Sequence, residues 1–323
     1  MKKVISLIIV LALTMLLVVG FTSCKDNEEA TKIRIGCMTG PTGMGMAKLI
    51  IDNGGINGND KYEFTLYTDT VVAKNDLAAG RVDLICFPTN EAATYYANVD
   101  ANSSVLAINT LCSLFLLTDG TTTINSFEEL DGKTVYTCKN GTPRMILEYL
   151  VELYELNINV SYTVNGKEMA TPFMLREQII AGAVDIAVAP EPIVTAATLQ
   201  NQSYSVDLDL SDAWNAKIET EMAMGCLIGN SNFISKNKDK INAFLDEYKA
   251  SIEYMSNPQN IDSAANYCQQ VGIMEKVPAA KKALLNLGDA IAYLDGDEMK
   301  DALITLYNAL EIEIPNNEFF YKK

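Results

Sequence analysis

Two short patterns occur twice in this chain, in the same order and at nearly the same separation. Cys37, Gly40 and Met44 return as Cys138, Gly141 and Met145, each 101 positions on, and Gly80, Val82, Asp83 and Pro88 return as Gly182, Val184, Asp185 and Pro190, each 102 positions on. Each landmark stands where a strand pattern meets a turn. Lys32 to Cys37 has the alternation of a strand, whereas Met46, Leu49 and Ile50 repeat at helical spacing, so the glycines and Pro41 between them mark a change of period. The same change follows the strands ending near Phe87, Cys138 and Ala189. The duplication therefore predicts two lobes of βαβ topology, each offering two strand-to-helix turns at the carboxyl edge of a parallel sheet, where open α/β sheets hold ligands. The alternative is that unrelated α/β domains share such turns.

Taken in order, Tyr62–Tyr67 reads as a second strand, and the apolar run from Val105 to Leu117 is long enough to predict a strand crossing from one lobe to the other. Ser126 and Glu129 have the spacing of a capping box, and Thr142 before Pro143 reads as a helix N-cap. A strand over Tyr204–Asp209 and a short helix near Ser211–Trp214 precede a second apolar run, Met222–Gly229, which predicts the return crossing. Beyond it the pattern is helical: Ile241, Phe244, Leu245, Tyr248, Ile252 and Met255 mark one face, and Met299, Leu303, Leu306 and Leu310 another. These helices carry no strands of their own and are expected to pack on the first lobe.

Composition removes whole classes of chemistry. The chain has no histidine, which excludes Ser-His-Asp and Cys-His nucleophiles and histidine-ligated zinc. A net charge of -16 opposes binding to nucleic acid or to an anionic membrane surface. Six of the seven cysteines, Cys37, Cys86, Cys112, Cys138, Cys226 and Cys268, show no metal-type spacing and read as buried thiols in preference to disulfides. No cofactor or metal is expected.

The seventh cysteine follows a leader. Met1-Lys2-Lys3 is a basic start, Val4 to Phe21 is apolar, and Thr22-Ser23 precede Cys24. This resembles a bacterial lipoprotein signal with its lipobox, although Phe21 stands where leucine is usual. The resemblance implies a lipid on Cys24 and an extracytoplasmic chain held to the membrane of a bacterium. An uncleaved membrane anchor is the alternative.

The lipobox, Lys32-Ile33-Arg34-Ile35-Gly36, the run Gly40-Pro41-Thr42-Gly43-Met44-Gly45-Met46, the paired Gly-x-Val-Asp segments and Glu191-Pro192 together resemble solute-binding lipoproteins of ABC importers. The resemblance is to the NMT1/THI5-like class for nitrate, sulfonates, taurine and thiamine precursors. It implies a type II periplasmic-binding-protein fold, two βαβ lobes around a hinge cleft with a helical C-terminal tail on the first lobe. It also implies a monomer that captures a small solute and passes it to a permease driven by an ATPase. The corresponding division is a signal peptide over 1–24, a tether over 25–31, a first lobe from 32–112 with 226–323, and a second lobe over 113–225.

By position, the resemblance implies ligand contacts from Thr39, Gly40, Pro41, Thr42 and Met44 in the first turn, and from Pro88, Thr89 and Asn90 in the second. Asn140, Gly141, Thr142 and Pro143 would contribute from the third turn, and Pro190, Glu191 and Pro192 from the fourth. Hydroxyls, one or two amides and free backbone N–H groups suit orientation by hydrogen bonds without covalent work. Helix capping alone is the other role open to Thr42 and Thr142, as dipole complementation is for Glu191. None of the four turns contains an arginine, with Arg144 the nearest, so a monoanionic, zwitterionic or neutral heteroaromatic solute is expected. Tyr95, Tyr96, Phe173 and Trp214 read as core or surface aromatics before they read as stacking partners. Two other functions remain open at this stage, a sensor lipoprotein without a permease and an enzyme on the same fold.

Overall fold

The computed structural model describes residues 32–323, so the expected leader, the Cys24 lipid site and the tether over 25–31 lie outside the described residues. The alternating segments form two five-stranded sheets. The first contains β1 (Ile33–Met38), β2 (Tyr62–Tyr67), β3 (Leu84–Pro88), β4 (Ser103–Thr110) and β12 (Gly225–Asn230) in the order β2-β1-β3-β12-β4. The second contains β5 (Leu114–Thr118), β6 (Thr134–Tyr136), β7 (Asn159–Ser161), β10 (Ile186–Pro190) and β11 (Ser205–Asp209) in the order β11-β5-β10-β6-β7. Between β7 and β10 a small hairpin pairs β8 (Thr163–Val164) with β9 (Lys167–Glu168) across Asn165 and Gly166, both at positive φ.

The two orders are one pattern used twice. β1 pairs parallel with β2 and β3, as β6 does with β7 and β10. In each sheet the next strand is antiparallel and has come across from the other: β5 directly after β4, and β12 after β11. The apolar run Val105–Leu117 is accordingly two strands in two sheets, broken at Leu111–Ser113, where the chain changes sheets.

The helical spacing of Met46, Leu49 and Ile50 is realised in α2 (Ala47–Asp52), and the turn before it contains a short helix of its own, α1 (Pro41–Met44); Gly45 separates the two, where an added Cβ would lie 2.6 Å from Ile252 Cγ1. There follow α3 (Thr70–Ala78), α4 (Thr89–Asn98), α5 (Thr142–Leu153), α6 (Pro172–Ile180), α7 (Ile193–Gln200) and α8 (Leu210–Asn215). The C-terminal block consists of α9 (Ser231–Lys236), α10 (Lys238–Ser256), α11 (Ile261–Gln270), α12 (Val277–Leu287) and α13 (Gly296–Ala309). The periodic faces predicted for this block are the ones buried: α10 and α11 pack on α2, and α13 packs beside β4. The chain then returns to β4, where Tyr321 N donates to Val105 O at 2.9 Å.

Three local expectations change. Ser126 does not cap; Phe127–Leu130 is a single 3-10 turn, and Glu129 receives Asn125 N instead, at 2.9 Å. Neither Thr42 nor Thr142 is an N-cap, because Gly40 and Gly141 take that place with φ of 87° and 95°. A left-handed φ is accessible to glycine without a Cβ clash, which is why the two equivalent turns share one backbone shape. All six cysteines among the described residues are free and buried.

Candidate functional site

Each of the four turns leaves the carboxyl end of a parallel strand, and three of them meet the segments that cross between the sheets. In the first, Thr39 N donates to Tyr67 O at 2.9 Å and Gly40 N to Ile273 O at 3.4 Å, tying the turn to β2 and to the C-terminal block. Pro41 O accepts from Thr110 Oγ1 at 3.3 Å. Thr42 is half-buried, and a Cβ placed on Gly225 would come within 2.7 Å of its methyl carbon, so the side chain lies against the return crossing. Met44 is fully buried in the apolar core beneath the turn.

The second turn is held by the same crossing. Pro88 pairs with Gly225, Thr89 N donates to Met224 O at 3.1 Å, and Thr89 Oγ1 donates to Ala223 O at 2.8 Å. Thr89 is therefore buried and engaged, while Pro88 and Asn90 stay half-exposed. In the fourth turn Pro190 pairs with Leu114, and Glu191 N donates to Ser113 O at 2.9 Å. Pro192 reaches the first turn: its Cδ would lie 3.6 Å from a Cβ on Gly40. The third turn differs, with Asn140 and Gly141 exposed, Thr142 half-buried and Pro143 buried. Cys138 Sγ donates to Asn140 O at 3.2 Å, and burial raises that thiol above its ordinary value.

Charge at the site is sparse. Glu191 is 4% exposed, and its carboxylate accepts from Asn286 Nδ2 at 2.6 Å, Thr195 Oγ1 at 2.9 Å and Thr195 N at 3.2 Å. Burial raises its pKa, against these donors and the field of Lys282. Arg144 leaves the third turn for α5, where its guanidinium carbon lies 5.9 Å from the Tyr162 ring centre and its Nε 3.6 Å from Glu148 Oε2. Among the described residues no group of three histidine, cysteine, aspartate or glutamate side chains is arranged to hold a metal. The arrangement can present hydroxyls, the amides of Asn90 and Asn140, and backbone N–H groups.

Residues outside the four turns also belong here. Asn109 and Thr110 end β4, where the one Thr110 hydroxyl proton is shared between Pro41 O and Asn109 Oδ1, the latter 3.0 Å from Thr110 Oγ1, and the buried Asn109 Nδ2 has no protein partner among the described residues. Ser113 Oγ faces Met224 Sδ at 4.0 Å across the two crossings. The sequence signal for them is a polar interruption within an apolar run. Of the aromatics, Tyr95 and Trp214 are core, Tyr96 packs on Phe319 and Phe173 is exposed. A cavity of about 220 Å³ lies at the outer edge of the second sheet against Phe127, Tyr154 and Leu208, and no residue of the four turns lines it.

A family model described as NMT1/THI5 like matches residues 68–261. No curated protein sequence matches the chain. Among solved structures, an ABC transporter protein from Parabacteroides distasonis is 19% identical with a TM-score of 0.72, covering 91% of this chain and 99% of its own. The periplasmic aliphatic sulphonate binding protein SsuA from Escherichia coli is 15% identical with a TM-score of 0.65, covering 90% of this chain and 92% of its own. The periplasmic nitrate-binding protein NrtA from Synechocystis is 12% identical with a TM-score of 0.54, covering 84% and 75%. These proteins share the fold described above, the type II periplasmic-binding-protein fold.

Proposed function

We propose that this chain, which belongs to the NMT1/THI5-like family, is the extracytoplasmic solute-binding component of an ABC importer. The observation that carries this reading is the approach of turns from two sheets: Pro192 Cδ of the second stands 3.6 Å from where a Cβ on Gly40 of the first would be, and both turns lie beside the crossings. Turns that close on each other about two crossing segments form a cleft that can shut on a small molecule. The lobes of this reading are 32–112 with 226–323, and 113–225. Thr39, Thr42, Pro88, Asn90, Asn140, Gly141, Thr142, Pro190 and Pro192 are its accessible or half-accessible contacts, and Gly40, Pro41, Met44, Thr89, Pro143 and Glu191 support them from below.

The protein acts by capture and delivery, without chemistry on the solute. The turns carry no histidine and no arginine, which favours a monoanionic, zwitterionic or neutral heteroaromatic solute. A lipid on Cys24 tethers it to the bacterial membrane as a monomer, and a permease with its ATPase receives the solute. Its relatives' names make aliphatic sulphonates and nitrate the first compounds to test, followed by taurine, amino acids, pyrimidines and flavins.

Thermal unfolding in the presence of each compound tests this. A solute at a hundredfold its dissociation constant adds about 2.7 kcal/mol of stability. Thr42→Ala combined with Asn140→Ala removes that shift while leaving the unliganded melting temperature close to wild type. Full retention of the shift by the double variant rules out the turns as the site.

A further inference from the structure

Glu191 is the one carboxylate in the four turns, and Thr195 and Asn286 converge on it. Thr195 supplies its backbone N–H and its hydroxyl from the first turn of α7, and Asn286 Nδ2 reaches the same carboxylate from α12 in the C-terminal block. Asn286 also stands 3.5 Å from Thr195 Oγ1, so the three side chains form a closed set. They sit at the junction of α7 and α12, where Ile193, Val194 and Ala197 share one apolar cluster with Ala280, Ala283, Leu284 and Leu287. The residue is 4% exposed, so its carboxylate is turned to these protein donors and away from solvent.

A carboxylate removed from water is costly unless donors converge on it. Withdrawing α12 from α7 would strip the shortest of these bonds from a group that stays largely buried. The next residue, Pro192, faces Gly40, its Cδ 3.6 Å from where a Cβ on that glycine would stand, and Gly40 N itself donates to Ile273 O just ahead of α12. Holding Asn286 on Glu191 thus holds the fourth turn on the first. Lys282 on α12 is the cation whose field acts on Glu191.

We propose that Glu191, Thr195 and Asn286 form a clasp that fixes the fourth turn against the first, making Glu191 a positioning residue of the cleft and not a solute contact. This rests on the cleft reading for its role in capture, but the clasp itself is measurable without any solute. Its consequence is that one edge of the cleft stays shut, and that the polar contacts to a solute come from the first three turns.

Amide hydrogen exchange of the full chain, with no solute added, reads the clasp at Thr195 N and Gly40 N. Asn286→Ala should speed both by about tenfold or more, the weight of a hydrogen bond to a charged group, while the amides of α10 keep their wild-type rates. Asn286→Asp, which sets one carboxylate against another, should do the same. Adding Glu191→Gln to Asn286→Asp restores a donor facing an acceptor and should return both rates to within about twofold of wild type. Thr195→Val, which keeps volume but removes the hydroxyl donor, should loosen the same two amides even if an Asn286 variant fails to fold. Unchanged rates in Asn286→Ala, faster exchange at Thr195 alone, or a Glu191→Gln/Asn286→Asp protein no slower than Asn286→Asp would each overturn the clasp. A protein that shows the clasp yet melts unchanged with every compound of the panel would refute the cleft reading and leave the clasp standing.

Discussion

At Glu191 burial and hydrogen bonding pull in opposite directions, and burial is the larger effect, so the carboxyl holds its proton to higher pH folded than unfolded. The sign follows from linkage: the folded state binds the extra proton, so the stability this group contributes is fully present below the ordinary glutamate value of about 4.3 and is lost as pH rises through the raised value. Chemical denaturation of wild type and Glu191→Gln across this window should show their stabilities diverging as pH rises, the glutamine protein gaining relative to wild type. A difference that stays constant with pH would mean that Glu191 titrates at its ordinary value. Asp83 shows how one residue pattern acquires two roles. Its carboxylate accepts from Arg34 N at 2.9 Å and Nε at 3.0 Å and forms a 2.5 Å ion pair with Nη2, whereas its sequence counterpart Asp185 is exposed. The position equivalent to Arg34 is Val135, so the partner is missing from the second copy. Gly-x-Val-Asp made both turns legible, with Gly80 and Gly182 at φ of 65° and 67°, but the role of each aspartate depended on a residue one strand away.

Among the elements, strands and C-terminal helices followed their periods closely, because alternation and 3.6-residue spacing are written within a few residues. The departures came where a distant neighbour intervened. The first turn holds a short helix of its own, and Gly45, between it and α2, lies so close to Ile252 of α10 that an added Cβ would stand 2.6 Å from Cγ1. The crossing run divides at Leu111–Ser113 because its two halves pair in different sheets. β12 is closely packed by its neighbours. An added Cβ at Gly225 would meet Asn109 Oδ1 at 2.6 Å, Thr42 Cγ2 at 2.7 Å and Thr110 Cβ at 2.9 Å, and two of those atoms belong to the neighbouring strand. Gly225→Ala should therefore cost about 1–3 kcal/mol, the usual penalty for overpacking, measured by chemical denaturation. It should also displace Thr42 and weaken whichever solute stabilises the wild type. Wild-type stability in this variant would show that the return crossing has room to spare.

For the molecule as a whole, attachment to a membrane through a lipid on Cys24 is part of the proposed function and has its own test. Cys24→Ala should release the protein into the soluble fraction and abolish labelling by a palmitate analogue; continued labelling would refute lipidation at that residue. No helix among the described residues is long and apolar enough to cross a membrane. The duplicated pattern, the two crossings and the absence of histidine chemistry follow from the amino-acid order alone, since each is a matter of local period, backbone freedom at glycine or residue inventory. The accessibility of each turn residue was not legible in that order: Met44 and Thr42 are two positions apart, yet one is core and the other faces the crossing. Nor was the partner of Glu191, because Asn286 lies 95 residues away on a helix whose own pattern shows only which face is apolar. Local sequence sets the period of an element and the shape of its turns. Which buried carboxylate meets which amide is decided only when the packed helices bring them together, because burial, and with it the cost of an unpaired charge, exists only in the tertiary structure.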